Sequence, residues 1–313
     1  MKIVVTGGAG FIGANLCRRF TTMGIEEIVV IDDLSTGFES NLSGLEVDLR
    51  VGSILDRDLL DDVVDGAHSV IHLAARPSVP RSIADPVASH HANATGTLYV
   101  LEAARKHGAH VALASSSSVY GANPTLPKSE DLNTMPMSPY AVSKLAAETY
   151  ALAYARCYDM RTLPFRFFNV FGPLQAAGHA YAAVVPAFVS NALADSPLVV
   201  HGDGRQTRDF TFVDTVTEVL ARAALDRVTS ITPVNLAFGT RTSLLELIDL
   251  LGKVLGRPVE AEHVDPRMGD VRDSQADNAR LRALFPQVRA VPLQTGLEAT
   301  VAWMSGQLAN QAH

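Results

Sequence analysis

Apolar positions in the first half of the chain fall into two alternating patterns. Short continuous runs rich in β-branched residues, such as Ile3-Val-Val5 and Ile28-Val-Val-Ile31, are separated by stretches where apolar residues recur every three or four positions. The first kind suits parallel strands buried on both faces, and the second suits amphipathic helices. The pattern predicts strands at Ile3–Val5, Ile28–Ile31, Leu45–Val51, Ser69–Ala75, Val111–Ala114 and Arg161–Phe168. Between them it predicts a helix carrying Phe11, Ile12, Leu16 and Phe20, a short helix capped by Asp56, and long helices over Pro86–His107 and Pro139–Tyr158. Strict alternation of this kind argues for a doubly wound parallel sheet in an α/β fold. From Asn169 onward, helices are predicted at Ala180–Leu193, Thr215–Leu225 and Ser243–Leu255, while strands shorten and Pro, Gly and Arg gather in loops. Pro233–Phe238 again reads as a buried strand. The expected organisation is therefore one domain over 1–168, rejoined by 214–240, and a smaller C-terminal α/β domain, mainly 169–313, whose loops bind substrate.

The junction of the first strand and first helix carries the first chemistry. Gly7, Gly8 and Gly10 break the strand, and a helix opens with Gly13 in its first turn. Glycine lets backbone approach a pyrophosphate closely, and a helix N-terminus offers unpaired N–H groups and a positive dipole end. Gly8-x-Gly10-x-x-Gly13 would be weak by itself, but it directly follows a strand, and the second strand ends in Asp32. An acidic residue about 20 positions after such glycines is the expected acceptor for a ribose 2′-OH. These features predict a dinucleotide-binding Rossmann domain. Asp32 would face a 2′-phosphate with like charge, and no arginine follows in Asp32–Gly37, so NAD is expected rather than NADP.

Composition narrows the picture by exclusion. At 313 residues about two domains are expected, and 47% hydrophobic against 19% charged residues is ordinary for a globular protein. A net charge of −7 argues against a nucleic-acid or anionic-membrane footprint. Cys17 and Cys157 both fall in predicted helices without metal-ligand spacing and read as small buried hydrophobes, which fits a reducing, cytoplasmic setting. Gly7 interrupts the first apolar run too early for a signal peptide, and no apolar stretch is long enough to span a bilayer. His90 and His91 are adjacent and so cannot share a helix face as metal ligands; no metal site is expected.

Tyr140 and Lys144 stand four apart at the start of a predicted helix and so share one face. A free tyrosine titrates near pH ~10, too high for a base at neutral pH, but a neighbouring ammonium favours phenolate. The pair follows a strand that runs into Ser115-Ser-Ser-Ser118, in a chain that already has a nucleotide cradle.

Taken together these motifs resemble the extended short-chain dehydrogenase/reductase family, in particular its NAD-dependent nucleotide-sugar epimerases and dehydratases. The resemblance rests on Gly7-Gly-Ala-Gly-Phe-Ile-Gly13, Asp32, His72-Leu-Ala-Ala75, Asn93, Ser115-Ser-Ser-Ser-Val-Tyr-Gly121, Tyr140-Ala-Val-Ser-Lys144, Arg166-Phe-Phe-Asn-Val-Phe-Gly-Pro173 and Gly202-Asp-Gly-x-x-x-Arg-Asp-Phe210. It implies that Tyr140 and Lys144 are the catalytic pair, that Ser116 hydrogen-bonds the sugar 4-oxygen, and that Ser118 assists. It also implies an NAD site formed by Gly7, Gly10, Phe11, Ile12, Gly13, Asp32, Asp33, Ser35, Thr36, Gly37, Leu73, Ala74, Ala75 and Asn93, together with Tyr140 and Lys144. Ser53 and Ile54 match the adenine site, with serine where the family often carries aspartate. The 4,6-dehydratases of this family have an Asp-Glu pair where Ser117 and Ser118 stand here. Serine cannot act as a carboxylic acid, so the chemistry left is hydride removal and return, a 4-epimerisation through a transient 4-keto sugar.

For the second half, the resemblance implies that Arg208 and Arg267 hold a diphosphate, Asp270 a ribose and Asn169 a phosphate or sugar oxygen. His201 stands where relatives often stack an aromatic ring on uracil. Ser78-Val-Pro-Arg-Ser82, Ala180–Pro186 with Val184, and Gly269–Asp277 look most like epimerases of UDP-N-acetylhexosamines, which implies UDP-GlcNAc/UDP-GalNAc. Ser274 is small where a tyrosine is associated with non-acetylated hexoses. Arg76-Pro77 replaces the Leu-Gly often found there and narrows the acyl pocket, which keeps UDP-glucose/UDP-galactose as the alternative pair. A non-catalytic dinucleotide-binding sensor or scaffold is the alternative of another class. The resemblance also implies a homodimer through the two long helices, for which Val100, Leu101, Leu145, Leu152 and Tyr154 offer apolar side chains.

Overall fold

A strand that is apolar throughout must be covered on both faces, so helices have to be shared between the two sides of the sheet. In the computed structural model, which describes residues 1–177, 183–265 and 272–311, the first half runs β1 (Lys2–Thr6), α1 (Phe11–Thr22), β2 (Glu27–Asp32), β3 (Asp48–Val51), α2 (Arg57–Val64), β4 (Ser69–His72), α3 (Val79–Ala84), α4 (Pro86–His90), α5 (Gly96–His107), β5 (His110–Ser116), α6 (Pro139–Tyr158) and β6 (Thr162–Phe167). The second half runs β7 (Asn169–Phe171), α7 (Val184–Leu193), β8 (Leu198–His201), β9 (Thr207–Arg208), β10 (Phe210–Phe212), α8 (Val213–Leu225), β11 (Val234–Leu236), β12 (Thr242–Ser243), α9 (Leu244–Leu255), β13 (Ala261–Val264), α10 (Ala279–Leu284) and α11 (Leu293–Gln311).

Seven strands form one parallel sheet in the order β11-β6-β5-β4-β1-β2-β3. Val5 sits between Val30 and Ile71 in register, and all three are buried. One face packs on α1 and α8, with Phe20, Val216 and Leu220 against Leu163 and Phe165. The other packs on α2, α5 and α6, with Leu60, Val63, Val100, Leu101, Ala151 and Tyr154 in its core. Chain direction across the sheet reverses between β1 and β4, which opens a crevice at their carboxyl ends. A separate core of Phe171, Phe188, Phe210, Phe212, Leu247 and Leu297 holds the smaller lobe, where β8 pairs with β13 and β7 with β10.

Several boundaries differ from the apolar pattern for identifiable reasons. The third strand starts at Asp48, because Leu45 and Val47 are taken up in turns. β4 stops at His72, after which Leu73 N–H still donates to the Thr6 carbonyl (3.0 Å) but the chain leaves the sheet. The long helix over 86–107 is interrupted by a π-turn, His91–Thr95, which separates α4 from α5. α7 is seen from Val184; residues 180–182 lie outside the described residues. Cys17 is buried, and burial pushes its thiol up to about 12, whereas Cys157 is exposed rather than buried. Val100, Leu101 and Tyr154 do not form a subunit-facing surface: they are packed inside the chain's own core, because α5 and α6 turn those positions toward the sheet. Among the described residues no helix is long and apolar enough to cross a membrane.

Candidate active site

The crevice at the β1–β4 reversal is lined first by the glycine loop. Gly7 has a left-handed φ of +70°, and a Cβ there would lie 2.7 Å from the Ala74 nitrogen, so only glycine lets β1 and β4 run this close. A Cβ on Gly13 would collide with the Gly7 carbonyl, which is how the first turn of α1 tucks against the strand end. α1 is capped by the backbone of Gly10 without a side-chain acceptor, so its first N–H groups, at Phe11, Ile12 and Gly13, face the crevice for an anion to use. Asp32 is 7% exposed; its Oδ2 accepts from Ala9 N–H and its Oδ1 from Leu34 N–H, both at 2.9 Å. The carboxylate thus braces the glycine loop and keeps spare acceptor capacity on both oxygens. Burial raises its pKa above the ordinary aspartate value, against those two backbone donors. Asp33 accepts from the N–H and hydroxyl of Ser35, while Thr36 is exposed and Gly37 lies under Ala9. The Ser53 hydroxyl accepts from Leu55 N–H (3.2 Å), and Ile54 is buried against Gly96. A loop closed on its own backbone, an open helix terminus and a buried acidic acceptor together fit a dinucleotide's diphosphate and ribose.

Across the crevice, β5 delivers Ser115–Ser118 and α6 delivers Tyr140 and Lys144. Ser138 caps α6 through Ala141 N–H (3.2 Å), and Pro139 opens it, so the turn bearing Tyr140 is held at its start. Ser118 Oγ donates to Ser116 Oγ (2.9 Å), and the Ser116 hydroxyl is the polar neighbour that acts on the Tyr140 hydroxyl. Burial raises the Tyr140 pKa, and the Ser116 bond opposes that shift by favouring phenolate. Lys144 is 6% exposed and donates to the Ala114 carbonyl at 2.8 Å, while burial pulls its pKa down to about 8. The ammonium is thereby anchored to β5, and Ser116 is the side chain that favours the tyrosine phenolate. Asn93, 1% exposed in the π-turn, accepts from Arg76 N–H (2.7 Å), donates to the Arg76 carbonyl (3.2 Å) and donates to Ser143 Oγ (2.9 Å). It ties the Leu73–Ser78 segment to α6.

Sequence reasoning did not single out the ion pair behind this site. Glu148 and Arg166, 3% and 4% exposed at their side chains, meet in a two-pronged pair at 2.7 and 3.0 Å. Ser115 Oγ also donates to Glu148 (2.7 Å), so the pair sits directly under the serine row. Its signal was present, because Tyr140, Lys144 and Glu148 follow one another at four-residue spacing on one helix face. Asp209 stands in the Gly202–Phe210 motif but had no role assigned to it there. It is fully buried, and its carboxylate accepts from Gly239 N–H and Ala276 N–H (both 3.0 Å) and from Thr240 Oγ1 (2.8 Å). Its carbonyl accepts from Asn169 N–H at 3.2 Å.

Asp209 thereby holds Asn169 and the loops at 239–240 and 276, while the smaller lobe's other candidates have partners of their own. Arg208 donates to the carbonyls of Thr207 and Arg272 (2.9 and 3.0 Å), and Ser274 N–H donates to Thr207 O (3.1 Å). His201 Nδ1 lies 3.0 Å from the Asp265 carbonyl, and Val184 opens α7. Arg272 is engaged with Asp203 (3.0 Å). Arg267 and Asp270 lie outside the described residues. Ser78 has φ +95°, rare for a residue with a side chain, and its hydroxyl caps α3.

A doubly wound sheet with a glycine cradle at its switch point, an acid at the end of β2, and serine, tyrosine and lysine brought together from β5 and α6 marks the class of dinucleotide-dependent enzymes. Residues 3–237 match the NAD dependent epimerase/dehydratase family, and the chain belongs to it. It is 38% identical over 308 residues to the UDP-glucose 4-epimerase of Mycolicibacterium smegmatis, covering 96% of this chain and 97% of the relative. Its structure is similar to a UDP-N-acetylglucosamine 4-epimerase from Methanobrevibacter ruminantium in complex with UDP-N-acetylmuramic acid (TM-score 0.92, 32% identity, 98% of each chain). It is also similar to a UDP-glucuronic acid 4-epimerase from Bacillus cereus in complex with UDP-glucuronic acid and NAD (TM-score 0.89, 30% identity, 98% of this chain and 100% of that one).

The cofactor is NAD. With Asp32 and Asp33 at the end of β2 and no cation between them and Gly37, protein purified without added cofactor is expected to release NAD on denaturation. Chromatography of the supernatant checks this, and recovery of mainly NADP would contradict it.

Proposed function

We propose that this chain is an NAD-dependent UDP-sugar 4-epimerase that favours UDP-GlcNAc/UDP-GalNAc. The observation that carries the epimerase reading is the hydroxyl row Ser118–Ser116–Tyr140, with serine and not carboxylate at positions 117 and 118. Bound NAD supplies the acceptance and return of hydride at the sugar C4. Tyr140 takes the 4-OH proton and gives it back, Ser116 holds the sugar 4-oxygen beside it, and Lys144 keeps a positive charge close to the developing phenolate. Nothing in the row provides the acid and base that elimination of water requires. Asn169, Arg208 and Ser274 form the nucleotide-sugar side, joined by Thr207 and Asp209, and Arg267 and Asp270 are assigned to it on sequence resemblance. A coupled assay across UDP-Glc, UDP-Gal, UDP-GlcNAc and UDP-GalNAc tests the reading. Absence of turnover on all four would favour a non-catalytic dinucleotide-binding protein.

The sugar preference turns on Ser274, a small, partly buried side chain beside Thr207. A close-packed site tolerates added atoms poorly. Ser274→Tyr is therefore expected to lower kcat/KM for the acetylated pair far more than for the plain pair. The UDP-glucose/UDP-galactose alternative is favoured by Arg76-Pro77, whose backbone Asn93 pins from both sides, so that segment cannot easily retreat. If the wild type ignores acetylated sugars, that alternative replaces the preferred pair.

The homodimer reading now rests on different residues. Ile83, Val87, Val142 and Tyr150 are 65, 63, 53 and 41% exposed on α3, α4 and α6, three helices that pack side by side. An apolar patch of this kind suits a second copy of the chain. Sedimentation velocity at micromolar concentration is expected to give a dimer that Val87→Asp with Val142→Asp converts to monomer. A monomeric wild type would overturn it.

A further inference from the structure

His72 ends β4 at 4% exposure and has no part in the chemistry above. Its ring lies between two buried threonines, with Nδ1 2.7 Å from Thr6 Oγ1 and Nε2 2.9 Å from Thr97 Oγ1. The proton positions follow from the groups around it. The Thr97 hydroxyl has one hydrogen, and it is donated to the Asn93 carbonyl at 2.6 Å, so Thr97 accepts from His72 and Nε2 carries the ring proton. Nδ1 is then the acceptor for the Thr6 hydroxyl, and Thr6 Oγ1 in turn accepts from Ala74 N–H at 3.2 Å. The result is a one-way chain: Ala74 N–H to Thr6, Thr6 to His72, His72 to Thr97, Thr97 to the Asn93 carbonyl. It ends in the π-turn, where an ordinary helix would have spaced the residues differently. Asn93 then holds Ser143, and Ser143 Oγ donates to the Tyr140 carbonyl at 2.8 Å.

We propose that His72 is a positioning residue: as the Nε2–H tautomer it fixes the π-turn at Asn93, and through Asn93 and Ser143 it fixes the turn of α6 that carries Tyr140. This rests on the assignment of Tyr140 as the base. Burial, reinforced by the Lys144 charge, keeps the ring neutral near neutral pH, with its pKa pushed down to about 3, and the hydrogen-bond partners on either side then select the tautomer. Protonation would turn Nδ1 into a donor facing the Thr6 hydroxyl, which already receives Ala74 N–H, and would break the chain's direction.

The test combines three variants with one spectrum. Thr97→Val keeps the shape but removes both the acceptor for Nε2–H and the donor to Asn93. It is expected to lower kcat roughly 10²-fold through misplacement of Tyr140, with KM and bound NAD little changed. His72→Asn retains an acceptor toward Thr6 but cannot reach Thr97, and should match Thr97→Val. His72→Gln puts an amide N–H where Nε2–H stood and should recover most of kcat. The double variant His72→Asn/Thr97→Val is expected to be no worse than either single, since both cut one chain. Additive losses, or a Gln variant as poor as the Asn variant, would overturn the proposal. Long-range ¹⁵N NMR on the wild type should show a pyrrole-type Nε2 and a pyridine-type Nδ1 from pH ~5 to ~9. A Nδ1–H tautomer overturns it whatever Tyr140 does, whereas an active Tyr140→Phe enzyme removes only the catalytic assignment.

Discussion

Tyr140→Phe is expected to lower kcat by roughly 10²–10⁴-fold while folding and NAD content stay at the wild-type level. The substitution deletes one oxygen and leaves the ring in its partly buried place at the start of α6. What disappears is the oxygen proposed to take the 4-OH proton, the one whose ionisation Ser116 favours. The coupled assay gives kcat, thermal melting gives stability, and extraction gives bound dinucleotide. Turnover near the wild-type rate would mean that another group is the base. The same geometry fixes the sign of a pH effect. Burial already holds the Tyr140 hydroxyl above the ordinary tyrosine value, and the Ser116 bond is what opposes it. Ser116→Ala removes that opposition, so the acidic limb of the pH–kcat profile should move to higher pH. A shift to lower pH would contradict the direction of the Ser116 hydrogen bond.

Glu148→Ala is expected to cost about 3–5 kcal/mol of folding free energy, a large share of a typical domain's stability. It strands the Arg166 guanidinium, whose remaining neighbours are the Glu130 carbonyl at 3.5 Å and the Tyr120 ring at 4.7 Å. It also leaves Ser115 Oγ without its acceptor. Replacing both partners at once, Glu148→Met with Arg166→Met, removes the charges together and should be far less damaging, since a buried ion pair exchanged for packed apolar groups is often near neutral. Denaturant titration of the three variants measures both effects. A single-variant loss below about 1 kcal/mol would mean that water reaches Arg166 and compensates it.

Features set by local spacing were readable from the chain alone. Strand–turn–helix alternation, the glycine cradle and the four-residue step from Tyr140 to Lys144 each depend on residues close in sequence, and each is found where the spacing put it. The π-turn was not readable, because five residues that widen a helix carry the same apolar pattern as an ordinary turn. The role of Asp209 was hidden for another reason: its donors at Gly239, Thr240 and Ala276 come from loops remote in sequence. Glu148 was spaced like Tyr140 and Lys144, but its meaning depends on Arg166 in the next element, β6. The apolar residues of α5 and α6 show the limit most clearly. A helix apolar on more than one side does not say which side meets its own sheet, and Val100, Leu101 and Tyr154 turned inward while Val142 and Tyr150 stayed outside.

The seventh strand arrives late. β11 pairs with β6 and α8 covers the face beside α1, yet both follow a stretch of the smaller lobe in the chain. During synthesis the first six strands emerge before either, so β6, buried along its whole length in the finished protein, waits with an open hydrogen-bonding edge and an uncovered apolar face. Those exposed groups are the ones that invite pairing between nascent chains. The sheet that binds the dinucleotide can therefore close only after most of the smaller lobe's strands have left the ribosome, and a chaperone that shields β6 in that interval would act on yield without touching the finished enzyme.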